Sequence, residues 1–122
     1  MFSLAQIFVA LSCTIGYTLA APTPQSTSAS SHSGDLTYYQ PGLGACGETN
    51  SDSEHVVALS VADYDGNCGK TIQINKDGKT ASALVADKCM GCAAGSIDVS
   101  STVFESLADL SEGRVKVTWT IS

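Results

Sequence analysis

The chain has 122 residues, with six Lys and Arg against twelve Asp and Glu and a formal net charge of -6. That length holds one small domain. The acidic balance and the lack of any basic run exclude nucleic acid and anionic membranes as partners, since nothing here would displace the counterions of a phosphate surface.

Met1 to Ala20 carries no charged side chain, and its apolar core runs through Leu4, Ile7, Phe8, Val9, Ala10 and Leu11. It ends at Thr18-Leu19-Ala20-Ala21, whose small residues suit a signal peptidase. Residues 1–20 are therefore predicted to be a secretory signal cut after Ala20 or Ala21, placing the protein outside the cell. The rival, a membrane anchor, needs about 20 consecutive apolar residues, and this run falls short. Residues 21–33, with Pro22 to Ser33 reading PTPQSTSASSHS, are predicted to be a flexible linker or propeptide open to O-glycosylation. No Asn-x-Ser/Thr sequon occurs. The domain itself is expected over 34–122.

Signal cleavage removes Cys13 and leaves Cys46, Cys68, Cys89 and Cys92. An even number in a small exported domain implies two disulfides, with three connectivities open. A domain of this size buries a modest core, so those bonds matter to its stability.

Most of the domain has a strand pattern. Asp35 to Tyr39 is a first strand, stopped by Pro41-Gly42, and His55 to Ala62 is a second. Lys70 to Asn75 and Lys79 to Ala86 flank Lys76-Asp77-Gly78, and Asp-Gly between two such runs marks a hairpin. In Arg114 to Ile121 the residues Val115, Val117, Trp119 and Ile121 alternate with Arg114, Lys116, Thr118 and Thr120. One helix is predicted over Ser100 to Leu110, with Val103, Phe104, Leu107 and Leu110 on one stripe and Gly113 beyond its end. Ser100 can cap it, or Thr102 with Glu105 can form a capping box. About six short strands and one short helix predict a mainly β, closed barrel, because closure removes exposed strand edges.

Gly42 to Gly47 matches GxGxxG, but Glu48-Thr49-Asn50-Ser51-Asp52 follows in place of the helix a dinucleotide site needs. No cofactor is expected, and these glycines serve tight turns around Cys46. Cys89-x-x-Cys92 lacks a second knuckle for zinc and a following helix for thioredoxin-like chemistry, so it reads as a structural disulfide and no metal site is expected. Asp87 and Asp98 lie eleven residues apart on either side of it. Paired acids suit sugar chemistry through proton transfer and stabilisation of positive charge. The bland alternative is that Asp98 merely complements a helix N-terminus. Tyr38, Tyr39 and Tyr64 could stack on sugar rings, whereas Trp119 shares a core stripe. Adjacent Tyr38 and Tyr39 point to opposite faces, so one of them at most should line a groove. His32 and His55 are expected to be solvated.

Five ordered blocks carry a resemblance: Gly34-Asp35-Leu36-Thr37-Tyr38-Tyr39, Gly42 to Gly47, Asn67-Cys68-Gly69-Lys70, Val85 to Cys92, and Ile97-Asp98-Val99-Ser100 with Phe104. Over about Gly34 to Ser122 they resemble the RlpA-like double-psi β-barrel family, and among its groups the small fungal single-domain expansin-like proteins called loosenins. The resemblance implies a six-stranded double-psi β-barrel. It also implies a groove in which Thr37, Asp87 and Asp98 form the catalytic set, with Asp98 the chief residue and Tyr38 and Tyr39 candidates for substrate contact. It implies the pairings Cys46–Cys68 and Cys89–Cys92. The chain departs from plant expansins in having Ser96-Ile97-Asp98 where they have His-Phe-Asp, and it ends at Ser122 without their second, carbohydrate-binding domain.

The function this implies is a secreted monomer that binds and loosens cell-wall polysaccharide, cellulose, chitin or a related glucan, without net hydrolysis. A different class is also open: a proteinase inhibitor or host-interaction module acting on a cysteine protease through loop residues such as Leu43 and Met90. A third reading is a lytic transglycosylase with Asp98 as its single acid/base.

Overall fold

The computed structural model describes residues 31–122, and Gly16 singly. The expected signal and nearly all of the expected linker lie outside the described residues. Six strands close into a barrel: β1 (Ser31–Tyr39), β2 (Val56–Ser60), β3 (Thr71–Lys76), β4 (Lys79–Cys89), β5 (Ile97–Ser100) and β6 (Val115–Ile121), in the spatial order β1-β5-β2-β4-β3-β6. The pairs β1/β5 and β2/β4 are parallel, and the other four are antiparallel. Two parallel crossovers inside an otherwise antiparallel barrel bring the middle of β1, β5, β2 and β4 side by side.

Alternation along the strands fills the interior. Leu36, Val57, Leu59, Ile72, Ile74, Val85, Ile97, Val99, Val117 and Trp119 are all buried there. Helix α2 (Ser101–Leu107) adds Val103, Phe104 and Leu107 to the same cluster. Burying each large apolar side chain contributes about 1.5–3 kcal/mol. The Trp119 ring has no exposure, and its Nε1 donates to the Gly95 carbonyl at 2.8 Å, so the indole is buried without a stranded donor.

The β3–β4 hairpin turns on Asp77 and Gly78, at φ 49° and 85°, with Lys76 paired to Lys79. Two central residues of positive φ are what a two-residue turn matching the strand twist requires. A second close approach fixes β1. A Cβ at Gly34 would collide with the Gly95 carbonyl, and one at Gly95 with the Ser33 carbonyl.

Several boundaries differ from expectation. Strand β1 begins at Ser31, because Ser31 to Leu36 pair with β6. His32 is not solvated: its ring stacks on Trp119 with centroids 4.0 Å apart. Strand β2 stops at Ser60, and Val61–Tyr64 form a helical turn, α1. The predicted helix is shorter by one residue at its start and three at its end, and Leu110–Glu112 instead form a separate 3-10 turn closed by a capping box between Asp109 and Glu112. Neither proposed cap of α2 forms. Ser100 belongs to β5 and donates to the Glu54 carbonyl, while Thr102 donates to the Asp52 carbonyl. The remote Asp52 carboxylate accepts from the Ser101 amide at 2.8 Å and from the Ser101 hydroxyl. Strand β5 carried no sequence signal of its own, since four residues are too short to show a period.

Candidate functional site

The register of the strands assembles the candidate residues. Thr37 of β1 pairs with Asp98 of β5, Asp98 with Ala58 of β2, and Ala58 with Asp87 of β4. Paired residues in a sheet face the same side, so these four make one row across four adjacent strands. A register shift between Val57 and Ala58 brings Asp87 into that row. Such irregularities re-aim side chains.

The two acids are held differently. Thr37 Oγ1 donates to Asp98 Oδ1 at 2.9 Å. Burial pushes the Asp98 carboxyl above the usual aspartate value; the Thr37 hydrogen bond and the charge of Arg114 oppose this, and repulsion from Asp87 adds to it as the smallest contribution. In a dyad sharing one proton, mutual repulsion would dominate. Here desolvation is the largest influence and repulsion from Asp87 the smallest, so the two carboxyls are not coupled as such a dyad would be. Asp87 is fixed by main chain: its Oδ1 accepts from the Ala45 and Lys88 amides, each at 2.8 Å. The Ala45 contact depends on Gly44, where a Cβ would collide with the Ala86 carbonyl. No sequence pattern announced that Ala45 would clamp Asp87, because the contact spans 42 residues.

Two depressions lie along β1, and Thr37 of the row lines one of them. One of about 260 Å³ is lined by Asp35, Thr37, Cys89, Cys92, Ser96 and Arg114, among others. The other, of about 330 Å³, is lined by Tyr38, Tyr39, Gln40, Asp52, Ser101 and Leu110. Tyr39 lies near the acids: burial, then the charges of Asp87 and Asp98, push its phenol up to about 12. Tyr38 packs on Phe104 with centroids 4.8 Å apart and donates to the Leu110 carbonyl at 3.0 Å. The two tyrosines thus leave β1 in different directions yet border one depression. Tyr64 is elsewhere, against Cys68 Sγ and under the Lys88 ammonium.

Both disulfides frame this end of the barrel. Cys46–Cys68 ties the loop that clamps Asp87 to the segment before β3. Cys89–Cys92 closes the turn after β4. Leu43 and Met90 project from these two stapled loops at 75% and 77% exposure.

No family model matches the chain. The chain is 47% identical over 89 residues to the allergen Asp f 7 of Aspergillus fumigatus, an alignment covering 67% of this chain and 33% of that protein. It therefore spans about a third of that relative's length. It is 35% identical over 97 residues to the papain inhibitor of Streptomyces mobaraensis, covering 70% of this chain and 68% of the inhibitor. In structure it matches a Streptomyces papain inhibitor with a TM-score of 0.71 and 33% identity, covering 75% of this chain and 94% of the other. It also matches a Clavibacter michiganensis expansin in complex with cellohexaose, with a TM-score of 0.70 and 25% identity over 76% of this chain and 50% of the expansin.

Proposed function

This chain belongs to the double-psi β-barrel family of the Streptomyces papain inhibitor and the expansins, and from that premise we propose that it is a secreted protein that binds and loosens cell-wall polysaccharide without net hydrolysis. The observation that carries the reading is the half-buried Asp98 carboxyl, raised in pKa and hydrogen-bonded to Thr37, which itself lines a depression. A carboxyl accepts from a sugar hydroxyl when ionised and donates to one when protonated. It can thereby replace a hydrogen bond that one chain makes to its neighbour. Hydrolysis by the usual two-carboxyl route requires a second carboxyl as nucleophile or base, and Asp87, the only other carboxylate of the row, has its Oδ1 held by two main-chain amides. Tyr39 and Tyr38 would offer apolar ring surface to a sugar face. A solved expansin with cellohexaose supports the ligand class.

In this reading residues 1–20 are the cleaved signal and 21–30 a tether or propeptide, the expected linker ending three residues early because 31–33 pair with β6. Two disulfides fit an oxidising, extracellular compartment. The test is a pull-down of the secreted form, wild type and Asp98→Asn, on insoluble cellulose and chitin, together with an assay of fibre swelling and of released sugar. We expect binding and swelling without product, both lost in Asp98→Asn. Undiminished swelling in that variant overturns the role of Asp98. Anhydro-sugar or reducing-end products would favour a lytic transglycosylase instead.

A second reading, cysteine-protease inhibition, is favoured by the exposed Leu43 and Met90 on disulfide-stapled loops and by the papain-inhibitor relative. Rigid loops with apolar tips lose little freedom on docking. Residual papain activity titrated with wild type and with Leu43→Asp/Met90→Asp decides it; inhibition equal in both, or absent in both, removes these loops from consideration.

A further inference from the structure

The smaller depression beside Thr37 carries a charge feature that a neutral glucan would leave unused. Asp35 accepts from Arg114 Nη1 at 2.9 Å on one carboxylate oxygen and from Lys116 Nζ at 2.6 Å on the other. Two cations thus share one anion, leaving a surplus positive charge in a chain of net charge -6. Both cationic side chains are open to solvent, at 66% and 87% exposure. The guanidinium uses only Nη1 among the described residues. Its remaining N–H donors are free to form the two-point contact that matches a carboxylate. Arg114, Asp35 and Thr37 line the same depression, and Thr37 is bonded to Asp98.

We infer that this depression is a subsite for a uronate, so that the preferred substrate is an acidic, carboxylate-bearing polysaccharide. The inference rests on the polysaccharide reading above and narrows its substrate class. The sugar carboxylate occupies the outer edge of Arg114, while Asp35 keeps the inner one in place. β1 sets the direction of the chain. Asp35 and Thr37 border the charged depression and Tyr38, Tyr39 and Gln40 the aromatic one, so a bound polymer runs along β1 with its uronate toward Arg114. Binding there has a consequence for Asp98. The charge of Arg114 is one of the influences that favour the ionised Asp98 carboxylate. A ligand anion on Arg114 cancels it, and Asp98 is then more readily protonated as substrate arrives.

The experiment is calorimetric titration of the secreted form with hexagalacturonate and with cellohexaose, at low and at high salt. It compares wild type, Arg114→Gln, Arg114→Lys and Lys79→Gln, the last being an equal change of charge on the distant β3–β4 hairpin. In wild type at low salt hexagalacturonate should bind about tenfold more tightly, the factor expected of one added charge-assisted contact. The ratio should fall toward one in Arg114→Gln and at high salt, fall partway in Arg114→Lys, and hold in Lys79→Gln. A ratio unchanged by Arg114→Gln, or lowered equally by Lys79→Gln, overturns the subsite while leaving a neutral-glucan groove standing. Binding of neither oligosaccharide overturns the polysaccharide reading itself, and the subsite with it. Inorganic phosphate competing as well as galacturonate would overturn the assignment to a carboxylate.

Discussion

The Thr37 hydroxyl donates to Asp98 Oδ1 at 2.9 Å across the parallel β1/β5 pair, joining residues 61 positions apart in the chain. That bond favours the ionised carboxylate, while burial favours the neutral acid, and burial is the larger influence. The balance makes Thr37 a tuner of Asp98. Thr37→Val removes the donor and keeps the shape, so it should raise the Asp98 pKa further. Carboxyl NMR titration of wild type and variant reads the direction. A downward shift, or none, would show that the hydroxyl does not bond the charged form.

The same residue predicts how stability depends on pH. A carboxyl whose pKa is raised by folding binds its proton more readily in the folded state than in the unfolded one. Its favourable contribution is complete below the unfolded value of 3.8 and is lost as pH rises through the higher folded value. Asp98→Asn removes that loss. The melting temperature of the variant relative to wild type should therefore climb between pH 3.8 and neutrality. Asp35 runs the other way. Lys116 and Arg114 hold its carboxyl below 3.8, so its contribution is present above that pH and lost on acidification. Melts of Asp98→Asn and Asp35→Asn across acid pH should diverge in opposite senses.

How much of this was legible in the sequence follows from what each feature depends on. β6 shows its alternation because one face is buried, and Trp119 is accordingly in the core. The Asp-Gly hairpin shows because positive φ selects those residues. Strand β5 was silent, being four residues long, yet it is the strand that puts Asp98 beside Thr37. The capping of α2 by Asp52 was equally hidden, since the donor and the acceptor are 49 positions apart. Local chemistry was readable; the row of Thr37, Asp98, Ala58 and Asp87 depends on which strands become neighbours, and composition and periodicity do not encode that. The family motifs named three of its four members, and Ala58, the spacer between the acids, has no chemistry to announce it.

The disulfides should differ in what they stabilise. Cys46–Cys68 spans a sequence separation of 22 and Cys89–Cys92 one of 3. By loop-closure entropy the first contributes about 3 kcal/mol and the second about 2 kcal/mol. Cys46→Ala/Cys68→Ala should also free the loop in which Ala45 clamps Asp87. Denaturant unfolding ranks the two double variants, and the larger loss of polysaccharide binding per unit of lost stability should accompany the Cys46–Cys68 removal. The reverse order would mean that the turn carrying Met90 matters more to the groove than the clamp on Asp87.

His32 tests the strand that precedes the family motif. Its imidazole stacks on Trp119 at 4.0 Å and 11°, and its Nδ1 lies 3.7 Å from an Asp63 oxygen. The other Asp63 oxygen accepts from Ser60 Oγ and from the Gly95 amide, each at 2.8 Å. Asp63 therefore ties the start of β1 to the turn that launches β5, the strand bearing Asp98. His32→Ala uncovers one face of the indole and should cost about 1–2 kcal/mol, the stacking contribution plus some lost burial. The loss should be local as well as global. Amide exchange at Ser33 to Asp35 and at Gly95 to Ile97 should quicken together, while exchange in the β3–β4 hairpin changes only with overall stability. Unchanged exchange around Gly95 would mean that Asp63 holds that turn without help from β1, and that residues 31–33 serve the barrel only as a seam against β6.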